Sequence, residues 1–127
     1  MSRSEKPYDI SYEVRPEYLY AFVTGDLTIG DVKVDCWRKI IGRCRSGSHD
    51  RVLVVLDGNG TASDTVAFEA SRQIVEIGLT GLQIAYVDLD PESFEKNQFC
   101  ETVVGNRGGF AKVFKTEQEA EAWLIGR

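Results

Sequence analysis

Histidine occurs once, at position 49, and the three cysteines, Cys36, Cys44 and Cys100, never fall at Cys-x-x-Cys spacing. With a single histidine and no Cys-x-x-Cys pair, a structural or catalytic zinc is strongly disfavoured. A Ser–His or Cys–His dyad would have to use His49, which sits among Ser46, Gly47, Ser48 and Asp50 and reads as part of a solvated polar loop. An odd number of unpaired thiols suits a reducing compartment rather than a disulfide framework. The sequence also lacks an apolar run of about 18 residues and a signal-peptide pattern, so a cytoplasmic protein with no integral membrane segment is expected. Basic residues are outnumbered, 15 against 20 acidic ones. Apart from Arg38, Lys39, Arg43 and Arg45, which fit the solvated side of a helix, no stretch concentrates them. Nucleic-acid binding is therefore disfavoured.

What is present is a chain of 127 residues with 43% hydrophobic and 28% charged content, the make-up of one globular domain spanning residues 1–127. Its organising stretch is residues 51–63, Arg-Val-Leu-Val-Val-Leu-Asp-Gly-Asn-Gly-Thr-Ala-Ser. Residues 52–56 are an unbroken apolar run, the pattern of a strand covered on both faces. Asp57, Gly58, Asn59 and Gly60 then favour a turn that ends the strand, and Thr61 or Ser63 opens a helix. In α/β folds, function usually sits just beyond the carboxyl end of such a central strand.

The rest of the chain arranges itself around that unit. Residues 1–6 read as a loose polar tail. Tyr8, Ile10, Tyr12 and Val14 alternate with polar residues, and a second strand over 18–23 follows the short break at Pro16, which predicts an antiparallel hairpin. A helix over 31–45 carries Cys36, Trp37, Ile40, Ile41 and Cys44 on one stripe. A second helix over 62–77 buries Val66, Ala67, Ala70, Ile74 and Ile77, with Thr61 to Asp64 at capping-box spacing. A strand over 82–87 leads through Asp88, Asp90 and Pro91 into a third helix with Phe94, Phe99, Val103 and Val104 as its apolar positions. A last strand over 110–114 precedes a capped terminal helix with Ala120, Trp123 and Leu124 inward. The result is an α/β fold of order ββαβαβαβα. A mixed sheet of four or five strands begins with the antiparallel hairpin, continues in parallel and is flanked by helices.

These features carry a family resemblance. The N-terminal hairpin, the Val-rich strand ending at Asp57 and the Ile84-Ala85-Tyr86-Val87 strand are joined by Asn106-Arg107-Gly108 and the segment from Phe114 to Leu124. Together they resemble the SpoIIAA-like family of the STAS superfamily over nearly the whole chain. The resemblance implies a non-enzymatic regulatory module that docks a partner through the segment after the central strand, where better understood relatives carry an Asp-Ser pair with a phosphorylatable serine. Here the order is reversed, Ser63-Asp64, and the loop is richer in glycine. Thr61 and Ser63 are thus phosphorylation candidates by position, with Asp57, Gly58, Asn59, Gly60 and Asp64 completing the docking segment. Sec14-like lipid carriers share the superfamily fold, so a small apolar ligand is a further expectation.

Three other readings weigh on the same residues. Ser63 or Thr61 as a plain helix cap needs no function at all. Residues 57–61 have the spacing of the Asp-x-Asp-x-Thr motif of haloacid-dehalogenase-type phosphatases. Asn59, however, replaces the acid/base carboxylate and the match follows the third strand, so a magnesium-dependent phosphatase or phosphotransfer domain using Asp57 is the runner-up. An EF-hand fails because its twelfth position is Phe68. Finally, Tyr18, Tyr20, Phe94 and Phe99 are expected to line an apolar cleft between the hairpin and the third helix. No metal, cofactor or catalytic residue is assigned. The partner is a protein or a small ligand, and a homodimer is compatible with the pattern.

Overall fold

The computed structural model describes residues 8–58, 63–106 and 108–126. The polar tail expected over residues 1–6 falls outside them. Among the described residues, strands β1 (Tyr8–Val14), β2 (Leu19–Gly25), β3 (Arg51–Gly58), β4 (Gln83–Asp88) and β5 (Phe110–Phe114) form one sheet in sequential order. β1 pairs antiparallel with β2, and the remaining neighbours are parallel. The helices are α1 (Gly30–Ser46), α2 (Asp64–Ile77), α3 (Phe94–Asn106) and α4 (Glu117–Leu124). The expected mixed sheet is present with five strands, and β3 lies at its centre.

A sequential order has a consequence for layering. Each right-handed crossover that advances the sheet in the same direction lays its helix on the same face. The large core accordingly joins Leu19, Ala21, Val23, Val52, Val54, Leu56, Ile84 and Tyr86 to Val34, Trp37, Ile40, Ile41, Ala70, Ile74 and Val104 of α1, α2 and α3. Among the described residues, α4 is the helix that covers the opposite face. There Leu53, Val55, Ala85 and Val87 pack beneath Ala120 and Leu124, with Tyr18 beside them. Thr116 starts α4 as its N-cap, its hydroxyl accepting the Glu119 N–H at 3.2 Å.

Several boundaries and faces differ from the sequence pattern. β3 continues through Asp57 and Gly58, because these pair with Thr24 and Gly25 of β2 and the turn is postponed. Helix α3 reverses its expected polarity in part. Phe99 is exposed, while Asn97 is buried and donates its amide Nδ2 to Asp88 Oδ2 at 3.1 Å. Trp123 is half-buried and covers the edge of the sheet, with ring centroids 5.1 Å from Phe110 and 5.6 Å from Phe114. Cys36 and Cys44 are buried on α1, and desolvation pushes their thiols up to about 12 and about 11.

Two outcomes follow. Leu124→Ala, which removes the main apolar contact of the only helix described on its face, should cost ~2–5 kcal/mol by chemical denaturation. Phe99→Ala should stay within about 0.5 kcal/mol. A further outcome concerns pH. The folded thiols of Cys36 and Cys44 hold their protons more tightly than the unfolded chain does, so their contribution is complete below the ordinary thiol value of about 8.5. It is lost as pH rises from there toward about 12. Replacing both by Ser should flatten the alkaline limb of a Tm-against-pH curve between about 9 and 12.

Candidate functional site

The carboxyl ends of the parallel strands β2, β3 and β4 converge on one rim of the sheet. At its middle, β3 ends with Asp57 exposed and Gly58 pressed against β2. A Cβ at Gly58 would lie 2.8 Å from the Gly25 carbonyl oxygen, closer than real side chains come. Gly25 itself has φ 130°, a conformation only glycine adopts readily. The two glycines, paired across the sheet, pack backbone against backbone at the head of the central strand.

Asn59, Gly60 and Thr61 lie outside the described residues. On the far side of them, Ser63 is the N-cap of α2, with φ −65° and ψ 162°, and its hydroxyl accepts the Val66 N–H at 3.2 Å. The capping-box spacing pointed to a start two residues earlier, at Thr61. The helix instead begins at Asp64, because Ser63 has the extended backbone and the N3 bond that a cap requires. Asp64 stands in the first turn, where the helix dipole favours a carboxylate, and its Oδ1 meets Lys96 Nζ of α3 at 3.3 Å. With the Asp64 side chain 91% exposed, that ion pair is a weak tether.

The neighbouring carboxylates of the rim are committed to local backbone. Asp26 accepts both the N–H and the hydroxyl of Thr28, which lowers its pKa. Asp88 accepts from the Asp90 N–H and from Asn97, and Asp90 in turn accepts from the Glu92 N–H and caps the short 3₁₀ turn Pro91–Ser93. Asp88 and Asp90 therefore build the β4–α3 connection, and no group of three or more His, Cys, Asp or Glu suited to a metal ion occurs among the described residues.

The cleft expected from Tyr18, Tyr20, Phe94 and Phe99 is not assembled. Alternation along β2 sends Leu19, Ala21 and Val23 toward α1–α3 and Tyr18 and Tyr20 to the α4 face. Tyr18 donates to Glu121 Oε2 at 2.6 Å and accepts from Arg15 Nη1 at 2.8 Å. Tyr20 reaches Glu117 Oε1 at 3.2 Å beneath the Arg15 guanidinium, 4.0 Å from its ring. Phe94 sits below Lys115, 4.9 Å from its ring centroid, and Phe99 packs on Phe68 of α2 at 6.3 Å. Phe68 and Phe99 form an exposed aromatic pair on the outer side of α2 and α3.

A cavity that the sequence pattern did not signal lies under α3, lined by residues of α1, α2, α3, β4 and β5 with Tyr86 among them. Its one legible trace was the run of Asn97, Cys100, Glu101 and Val104 at spacings of three and four. That run puts polar groups on the inner stripe of α3, where the apolar residues of a core helix belong.

Comparison with known proteins adds the fold's relations. No family model matches the chain, and no curated protein is significantly similar to it. Among solved structures, it resembles an uncharacterised protein of the DUF3478 family with a SpoIIAA-like fold from Shewanella loihica PV-4. The TM-score is 0.54 at 15% identity, covering 98% of each chain. It also matches the anti-sigma factor antagonist SpoIIAA in its unphosphorylated form, with a TM-score of 0.45 at 12% identity over 94% of this chain and 98% of that one. The fold is SpoIIAA-like.

The cap makes a direct test. Ser63→Ala should cost ~0.5–2 kcal/mol in denaturant unfolding, and Ser63→Asp should recover most of it, since Asp also caps and suits the dipole. Gly58→Ala should destabilise as well, through the contact with the Gly25 carbonyl.

Proposed function

We propose that this SpoIIAA-like domain is a non-enzymatic regulatory module that docks a protein partner on the rim where β3 passes into α2. The recognition segment comprises Asp57, Gly58, Asn59, Gly60, Thr61, Ser63 and Asp64. The observation that carries this reading is the exposed Asp57 at the carboxyl end of a strand whose two faces are both packed, followed in the chain by the N-terminus of α2. In α/β sheets, recognition falls at such strand ends.

The rim is acidic. Asp57, Asp64 and Glu92 are exposed and of one sign, so the partner surface that fits it is basic, and charge complementarity would speed and orient docking. Phosphorylation of Ser63 or Thr61 would control the contact. A phosphate adds about −1.5 to −2 charges at neutral pH to a helix N-terminus that tolerates them. The fold would persist while the charge of the contact changed. The cytoplasm is the compartment that suits its free thiols.

The test uses partner captured from host extract by crosslinking, followed by affinity measurement with purified components. Asp57→Lys and Ser63→Asp should leave Tm nearly unchanged and shift Kd by about tenfold or more, the scale of a desolvated charge contact. Equal affinity of both variants and the parent protein would place recognition elsewhere. Incubation with magnesium and a phosphate monoester should give no turnover above background. Turnover abolished by Asp57→Asn would instead make the domain a phosphatase.

A further inference from the structure

The two edges of the sheet are finished differently. On β5, the Val113 N–H is taken by Glu101 Oε1 of α3 at 2.7 Å, and the Trp123 ring packs on Phe110 and Phe114. β1 lies at the other end of the strand order. It is paired with β2 on one side and, among the described residues, with no strand on the other. An open edge of this kind is a template for a further strand.

The hairpin decides which groups that edge offers. The Arg15 N–H bonds the Tyr18 carbonyl at 3.0 Å, which makes these two a hydrogen-bonded pair. Such pairs recur at every second residue of an antiparallel ladder. The register Glu13↔Tyr20, Ser11↔Phe22 and Asp9↔Thr24 continues the series, so these residues turn their backbone groups to β2. Tyr8, Ile10, Tyr12 and Val14 therefore turn theirs outward. The side chains of Tyr8, Ile10 and Tyr12 face the large core, and Val14, of the same parity, is 65% exposed. Beside them a groove of about 160 Å³ is lined by Tyr8, Asp9, Ile10, Tyr12 and Lys39.

We infer that this edge receives the same edge of a second copy, β1 against β1 antiparallel, about a two-fold axis at Tyr12. Outward-facing residues must meet outward-facing residues, which leaves few registers. Centring the pair on Ser11 sets Asp9 opposite Glu13 twice, and centring it on Glu13 sets the two glutamates face to face. Like charges directly opposite are destabilising. Centring it on Ile10 pairs only residues 8–12 of β1 with one another. Centring it on Tyr12 sets Asp9 opposite Arg15 on one face of the sheet and Ile10 opposite Val14 on the other. The exposed Val14 of each copy then lies against Ile10, one wall of the other copy's groove. The axis is perpendicular to the sheet, so the two acidic rims point in opposite directions and both stay open. The assignment does not rest on the docking proposed at the rim.

Sedimentation velocity on the full chain should show a monomer–dimer equilibrium, with a Kd of roughly 0.1–1 mM for so short a contact. Backbone amide exchange at Ile10, Tyr12 and Val14 should slow as protein concentration rises. Asp9→Lys reduces the magnitude of the net charge of −5, which by itself favours association. It nonetheless sets like charge against Arg15, so it should weaken the dimer about tenfold at unchanged Tm. A chain that stays monomeric up to about 1 mM would leave the edge to some other strand and overturn the assignment. A dimer without slowed exchange at those three amides would overturn it too. So would an Asp9→Lys variant that dimerises as tightly as the parent or more so, the result a Ser11-centred register requires.

Discussion

Everything in this molecule depends on covering both faces of β3. Residues 52–56 carry no polar side chain, and each is at least 93% buried. A strand of that kind cannot sit at an edge or face water, so the chain must supply a layer on each side. Because the strands add in sequential order, the crossovers deliver α1, α2 and α3 to one face, and among the described residues the segment after β5 closes the other. The packing of Ala120 and Leu124 on Leu53, Val55, Ala85 and Val87 is thus the counterpart of three helices.

The same constraint explains the candidate site. With both faces occupied, β3 can meet another molecule only at its ends, and its carboxyl end is the one that opens onto a helix N-terminus. The pairing of Gly58 with Gly25 lets the strand run two residues beyond its apolar stretch before the chain turns. Asp57 therefore belongs to the sheet and stands exposed at its rim.

Much of this was legible in the residues because single periodicities govern them. The alternation of Tyr8, Ile10, Tyr12 and Val14 gives an antiparallel strand, and the stripe of Cys36, Trp37, Ile40, Ile41 and Cys44 is buried as its spacing predicts. Legibility fails where two rules compete. Ser63 and Thr61 both satisfy the chemistry of a cap, and only backbone geometry chooses Ser63. Tyr18 and Tyr20 look like cleft residues until strand parity assigns them to Glu121 and Glu117 of α4. In α3, Asn97 displaces an apolar residue inward because Asp88 must be satisfied at the end of β4, which leaves Phe99 outside and the space around Tyr86 unfilled. That last case is a tertiary demand with no local signature.

The placement of α4 also bears on how the protein is made. Neighbouring strands follow one another in the chain, so the sheet and its three-helix face can assemble progressively as the polypeptide emerges, each strand finding its partner already present. The second face has no such sequence of partial shelters. Among the described residues, it is residues 117–124 that cover Tyr18, Leu53, Val55, Ala85 and Val87, and this cover comes only when that helix has been synthesised and has folded back. For most of its synthesis this chain is a one-sided sheet, with an apolar surface that a chaperone or a second nascent copy could meet before its own last helix does.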